Sequence, residues 1–488
     1  MMIPRVSRRL LPSSCLFHVQ IKNLNHMEIL KRKLPTDFAM EHFDGFYSKV
    51  YQARWPSIRL GLQYETKLCA VVNPFTDEDE TIANLKIQGA IELSEFYRKQ
   101  IRRVERHKLR RKILDEKRAK KLAILAEKRG IKPEEIQSDV EVSDVSDAEI
   151  GAGSTTDSDD LQLLFETDIE AMRLKEGFMD LNNQDVDLYD FIPCSEMIYM
   201  ENKPLLDPST EFKLNEQEIE IERVEVPLLN FPDHPKIFAF PRGSRLQFET
   251  PSAIGETKLN NYYLMNGAEI LPVITLNIQP QDKVADLCAA PGGQALAALF
   301  SQMPSVMFCC DSSSTKFATM KNFFNSYLPR VAAQQCQLFM ESLSAIDVDC
   351  PPAFDKVLLH VPSTRDRESL LDNTDNIFKG TRANERIGLP ERQRRLLKRG
   401  LQLLKVGGSL VYSTKSLSPI QNDAVVQFAI TELEQEMGVK FSVDDLKEAY
   451  RPMRALYRMY TFNYGIQVLP FLPSNFGPSY FSKINRTQ

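Results

Sequence analysis

The eight residues from Asp286 to Gly293, DLCAAPGG, constrain this chain more than any other segment. They close a short apolar strand, KVADL, with a Pro-Gly-Gly turn, and the QALAALFSQM that follows reads as a helix. Gly292 and Gly293 allow the backbone to turn sharply and approach a ligand, while the N-terminus of the next helix favours a negatively charged group. One strand later, SVMFCCD ends at Asp311. An acidic residue at the tip of a second strand is placed to accept hydrogen bonds from a ribose, as in nucleotide-binding doubly wound folds. A glycine turn on its own reads equally well as a tight strand–helix connection.

The surrounding sequence keeps the same alternation. KIFAFP (236–241), DKVLLHVP (355–362) and GGSLVYST (407–414) read as strands. NNYYLMNGAEILPVITL (260–276) and the stretches near 315–327 and 390–405 read as helices. This pattern predicts an α/β domain over 230–488, with a doubly wound, mostly parallel sheet covered on both faces and a ligand at the carboxyl ends of its strands. A chain of 488 residues has room for more. Residues 37–90 read as a small helical N-terminal region, with Phe43, Tyr47 and Tyr51 spaced as one buried stripe and Pro56 starting a second helix after Trp55.

Charge is unevenly spread. The net value of −5 gives no global sign of nucleic-acid binding, yet residues 95–132 carry sixteen Lys/Arg against five Asp/Glu. This basic, helix-prone segment is either a solvated face or a phosphate contact. Residues 133–172 contain no Lys or Arg and read as an acidic disordered linker, able to fold back on the basic segment when RNA is absent. A second cationic run lies at 379–399, where the choice is again between solvated helix and phosphate-contacting surface. Residues 1–27 hold Arg5, Arg8 and Arg9 with no acid, the composition of a mitochondrial targeting peptide, which places the mature chain in the matrix. No apolar run approaches the roughly 18 residues of a membrane span. Eight cysteines lack Cys-x-x-Cys spacing and six histidines are scattered, so neither a metal site nor a disulfide framework is expected.

With YYLMNGAEILPV before the turn, HVPSTRDRESL, GGSLVYSTKSLSPIQNDAVVQ and NFGPSYFSK after it, DLCAAPGG resembles the Sun-type RNA cytosine-C5 methyltransferases, in particular their mitochondrial ribosomal-RNA branch. The resemblance runs through 230–488 and, more weakly, 38–75. It implies a Rossmann-like, S-adenosylmethionine-dependent methyltransferase fold. Asp286, Cys288, Ala289, Ala290, Pro291, Gly292 and Gly293 would form the cofactor turn, Asp311 would hold the adenosine ribose, and Lys316 stands where the family has a basic residue. The stretches between 95 and 172 look like an insertion. The resemblance also implies mitochondrial ribosomal RNA and a large-subunit precursor as partners, with a helical-repeat protein of the transcription-termination-factor type.

The chemistry is where the chain departs from that family. Cytosine C5 is too weak a nucleophile to take a methyl group until a thiolate has added to C6. The family's nucleophilic cysteine position is Lys415, its second cysteine position is Ser363, and the aspartate that engages the base is His360. Gln294 replaces a lysine after the glycine turn, and Ser342 an acid facing the adenine. Each loss removes a charge or a hydrogen-bond partner, so cofactor binding is expected to be weak or lost. Three functions follow: a non-catalytic RNA-binding factor in large-subunit assembly, an active 5-methylcytosine methyltransferase with an unconventional nucleophile (Ser363 activated by His360), or a metabolite-sensing module.

Overall fold

The computed structural model describes residues 33–106, 110, 112, 221–254, 258–329 and 336–488. The expectations for 1–27, 133–172 and most of 95–132 fall outside them.

Two helices open the described chain, α1 (Pro35–Tyr51) and α2 (Trp55–Leu62). Phe43, Tyr47, Tyr51 and Trp55 line one buried face, which packs on Phe378, Leu417 and Leu469. Then come β1 (Leu68–Val72), α3 (Glu78–Ile87), β2 (Ile91–Glu92) and a helix, α4 (93–106), that carries the start of the basic segment. After these follow β3 (Glu222–Glu225), β4 (Ile237–Ala239), a ribbon of β5 (Ala253–Ile254) and β6 (Leu259–Asn260), and β7 (Tyr262–Asn266). An antiparallel sheet forms in the order β2-β4-β1-β7. The N-terminal region is therefore more than helical: β1 lies between β4 and β7, both more than 160 residues further along the chain.

Residues 260–276 differ from the helix expected there. Only Leu271–Leu276 is helical (α5), while Tyr262–Asn266 is strand β7, paired along its whole length with β1. A short apolar run fits a buried strand or a buried helix equally, and the pairing partner decides.

The second sheet matches the expected architecture. Its elements are β8 (Lys283–Asp286), α6 (Gly293–Phe300), β9 (Val306–Cys310), α7 (Ser314–Asn325), β10 (Gln337–Glu341) and β11 (Phe354–His360). They continue with α8 (Asp366–Leu371), α9 (Ala383–Ile387), α10 (Leu389–Gln402), β12 (Leu404–Thr414), α11 (Asp423–Met437) and β13 (Phe441–Asp445). The hairpin β14 (Met459–Thr461) and β15 (Ile466–Val468) precedes the last strand, β16 (Ser479–Arg486). The order is β10-β9-β8-β11-β12-β16-β13-β3. The five strands from β10 to β12 are parallel, and β16 inserts antiparallel between β12 and β13. Strand order reverses between β8 and β11, the switch point at which open α/β sheets bind ligands. β3 starts before residue 230, so the domain reaches further upstream than the alternation indicated.

Gly292 is required at the turn. Its φ is 111°, and a Cβ there would lie 2.7 Å from Phe324 and 3.0 Å from Met320 on α7. The resulting fold is a Rossmann-like methyltransferase α/β fold.

Candidate functional site

A cavity of about 780 Å³ opens at the carboxyl ends of β8, β11 and β12. Asp286, Cys288, Ala289, Ala290, Pro291 and Gly293 form one wall, and His360 and Lys415 face them from the neighbouring strands. Residues to which the family resemblance gives cofactor and chemical positions thus meet in one space. Asp311, Gly292 and Lys316 are not part of its lining. Asp311 sits just behind the turn, where its carboxylate accepts from the Ala290 N–H at 3.3 Å and the Ser313 N–H at 2.8 Å. Lys316 stands in the first turn of α7, whose cap is Ser313, and its charge helps hold the Asp375 carboxyl low.

Asp286 is fully buried. Its carboxylate accepts from the Cys288 N–H at 3.4 Å, and burial lifts it to about 7, with nearby Asp311 adding to the rise. A carboxyl raised in the folded state makes the native form bind protons more readily than the unfolded chain, so stability falls as pH climbs from about 4 to 7 and is flat beyond. Asp286→Asn should therefore stabilise the protein, with the advantage growing by about 2–3 kcal/mol between pH 5 and 8. Thermal melts at the two pH values check this; equal shifts at both would contradict it.

Lys415 occupies the nucleophile position as a locked ammonium. Its Nζ lies 2.7 Å from Glu269 Oε1 and 3.6 Å from Glu368 Oε1. Burial disfavours its charge, but the two carboxylates outweigh burial and raise its pKa. A protonated amine has no lone pair with which to attack a pyrimidine. His360 is pushed the other way, to about 3, first by burial and then by the Lys415 charge. Its neutral ring hydrogen-bonds through Nδ1 to Ser413 Oγ at 2.9 Å. Ser363 is buried, and its Oγ accepts from the Lys415 backbone N–H at 3.1 Å. The serine that His360 could in principle activate thus has another partner, and so does the histidine. That pair does not form.

Gln294 lines the cavity beside the turn. Its Nε2 donates to the Glu269 carbonyl at 3.0 Å, and its buried Oε1 has no partner. An acceptor stands where the family has a cation. Ser342 is exposed just past the end of β10.

The N-terminal helices hold the loops that carry these positions. Asp366 is buried and accepts from the Tyr47 hydroxyl at 2.7 Å, from the Leu417 N–H at 2.7 Å, and from the Thr364 hydroxyl. The Tyr51 hydroxyl adds a bond to the Leu417 carbonyl at 2.7 Å. The loop after β11 and the loop after β12 are thereby tied to α1.

Glu269 and Glu368 were not singled out from sequence, although both lie in segments that carry the family resemblance. Part of the cationic run at 379–399 is held by carboxylates. Arg382 pairs with Asp375 and Glu385, Arg394 with Glu391 and Glu432, and Lys398 with Glu432 and Glu436.

Comparison with known proteins bears on this site directly. A family model described as 16S rRNA methyltransferase RsmB/F matches residues 273–466. The 5-cytosine rRNA methyltransferase nsun-4 of Caenorhabditis elegans is 29% identical over 466 residues, covering 93% of each chain. The 5-cytosine rRNA methyltransferase NSUN4 of Mus musculus is 38% identical over 271 residues, 53% of this chain and 69% of its own. A mitochondrial tRNA (cytosine(34)-C(5))-methyltransferase of Danio rerio is 31% identical over 47% of this chain and 61% of its own.

Proposed function

The chain belongs to the Sun-type RNA cytosine-C5 methyltransferase family, and from that premise we propose that it is a non-catalytic member that binds mitochondrial ribosomal RNA during large-subunit assembly. The observation that carries this reading is Lys415, a charged ammonium clamped by Glu269 and Glu368 where the reaction needs a thiolate. Mitochondrial residence is supported by the acid-free, arginine-bearing start of the chain and by the mitochondrial zebrafish relative. Ribosomal RNA as the partner is supported by the names of the nematode and mouse relatives.

S-adenosylmethionine, when bound, supplies an electrophilic methyl group. The turn from Cys288 to Gly293, with Asp311 behind it, fits such a ligand in shape, and these are the residues that would hold it. The charges fit less well, because Gln294 offers a buried carbonyl oxygen in place of an ammonium. Weakened cofactor binding follows, since losing one charge-assisted hydrogen bond costs roughly 1.5–3 kcal/mol, about tenfold or more in affinity. Calorimetric titration of the purified chain with S-adenosylmethionine separates this reading from that of a cofactor-sensing module, which requires tight binding. Within the family, a helical-repeat protein of the transcription-termination-factor type is the partner to seek.

The assembly role has its own test. Tagged protein in a mitochondrial lysate should co-sediment with large-subunit precursors and move to the top of the gradient after ribonuclease treatment. Sedimentation as a free protein throughout would reject an assembly role.

A further inference from the structure

The cavity that houses the glycine turn carries an excess of carboxylates. Six line it, Glu65, Glu269, Asp286, Glu368, Asp372 and Asp375, against three basic side chains, Arg365, Arg367 and Lys415. Each basic group is engaged with the protein itself. Lys415 is held by Glu269 and Glu368, and Arg365 lies 2.9 Å from Asp375 Oδ2. Arg367 is buried and spends its fork on the carbonyls of Gly61, Tyr64 and Gly477 and on Asn475 Oδ1. Two of the carboxylates have only neutral hydrogen-bond donors. Glu65 accepts from the Gln247 amide at 3.3 Å, and Asp372 from the Thr374 hydroxyl at 2.7 Å.

Gln294 is an independent sign of the same preference. It lines the cavity, is 7% exposed, and its Oε1 is a buried acceptor with no donor among the described residues. The Nε2 of that amide is fixed on the Glu269 carbonyl at 3.0 Å, so turning the amide over would set two carbonyl oxygens face to face. A buried acceptor without a donor favours a ligand that brings N–H groups. Among the described residues, no three His, Cys, Asp or Glu side chains are grouped to hold a metal ion. Tyr263, Met265 and Phe323 also line the cavity, and such apolar surface suits the methylene stem of an organic cation.

We propose that this cavity selects by the charge of a ligand's tail: it takes an adenine nucleoside that ends in an amine and rejects the same nucleoside ending in an amino acid. The proposal rests on the weakened-cofactor reading above. A tail carboxylate entering a space already rich in carboxylates loses water and meets repulsion. A tail ammonium gains attraction there and supplies N–H donors. A sulfonium centre is common to both ligands and drops out of the comparison.

Two probes differ in the carboxylate alone: S-adenosylmethionine and its decarboxylated form, which ends in an aminopropyl group. Calorimetric titration of the full-length chain should show the decarboxylated probe binding about tenfold tighter or more. Gln294→Lys sets a cation in the cavity wall and should narrow that preference by about tenfold. Glu368→Gln, at a half-exposed position, should narrow it in the same direction with an unaltered melt, which keeps the test open if a buried lysine unfolds the chain. Glu436→Gln changes net charge equally on α11, outside the cavity lining, and should leave the preference as it was. Equal affinities for the two probes overturn the proposal. So does a preference that Glu436→Gln shifts as far as Glu368→Gln does. Binding of neither probe also overturns it, while weakened cofactor binding stands. Tight binding of S-adenosylmethionine, with the amine probe weaker, overturns both readings.

Discussion

Incubated with tritium-labelled S-adenosylmethionine and ribosomal RNA transcripts, the chain transfers no label above a protein-free control, and Lys415→Cys alone leaves it inert. The first half follows from the ammonium at 415. Loss of a covalent nucleophile costs enzymes on the order of 10⁴-fold or more, and here nothing in the cavity substitutes for it. Cys288 lines the cavity, but burial, with Cys310 and Asp286 adding to it, holds its thiol well above the usual range. Ser363 accepts a hydrogen bond from a backbone amide, and His360 is engaged with Ser413.

The second half follows from what Lys415 leaves behind. A thiol set at 415 would face Glu269 and Glu368, and two carboxylates suppress its ionisation. Pairing Lys415→Cys with Glu269→Gln removes the nearer carboxylate. That double variant should trap RNA containing 5-azacytidine as a covalent adduct, visible as a mobility shift, where neither single variant does. If the unaltered chain incorporates label and Ser363→Ala abolishes it, the non-catalytic reading is wrong. Trapping by Lys415→Cys alone would show that the carboxylates do not govern the site.

Glu269 explains why part of this site was legible in the sequence and part was not. His360, Ser363 and Lys415 stand inside intact motif frames, so a missing nucleophile can be read by position. What replaced it is an ion pair between the strand end at 415 and a residue before α5, and that pairing exists only once α5 is packed against β12. The cations of 379–399 carry the same lesson. Counting them in sequence suggests an RNA surface, but α11 lies beside α10 and supplies Glu432 and Glu436. The sheet was readable because buried parallel strands are continuous apolar runs bounded by turns. β7 was not, since its run of Tyr, Tyr, Leu and Met lacks a period that separates strand from helix.

Arg367→Met should destabilise the protein by about 3 kcal/mol or more through the N-terminal helices, although residue 367 lies in the α/β domain. The guanidinium is buried and donates to the carbonyls of Gly477 at 2.9 Å, Gly61 at 2.7 Å and Tyr64, and to Asn475 Oδ1 at 3.1 Å. Burial draws its pKa down to about 10, which still leaves it charged at neutral pH. It therefore joins α8, the end of α2 and the segment before β16 at one point. Methionine fills a similar volume but leaves buried acceptors without donors, each costing about 1–3 kcal/mol. The Asn475 amide also donates to Gly61 and Glu65, so part of the clamp survives and the lower end of the summed cost applies. Amide exchange across 61–68 and 475–478 should then accelerate by about two orders of magnitude, at roughly 1.4 kcal/mol per tenfold, while β8 and β9 stay protected. Arg367→Lys keeps the charge but not the fork and should fall between the two. Because Glu65 and Gly477 line the cavity, loosening this clamp also opens its wall. Exchange that rises uniformly across both sheets would instead mark Arg367 as part of the global core rather than the hinge pin of the N-terminal module.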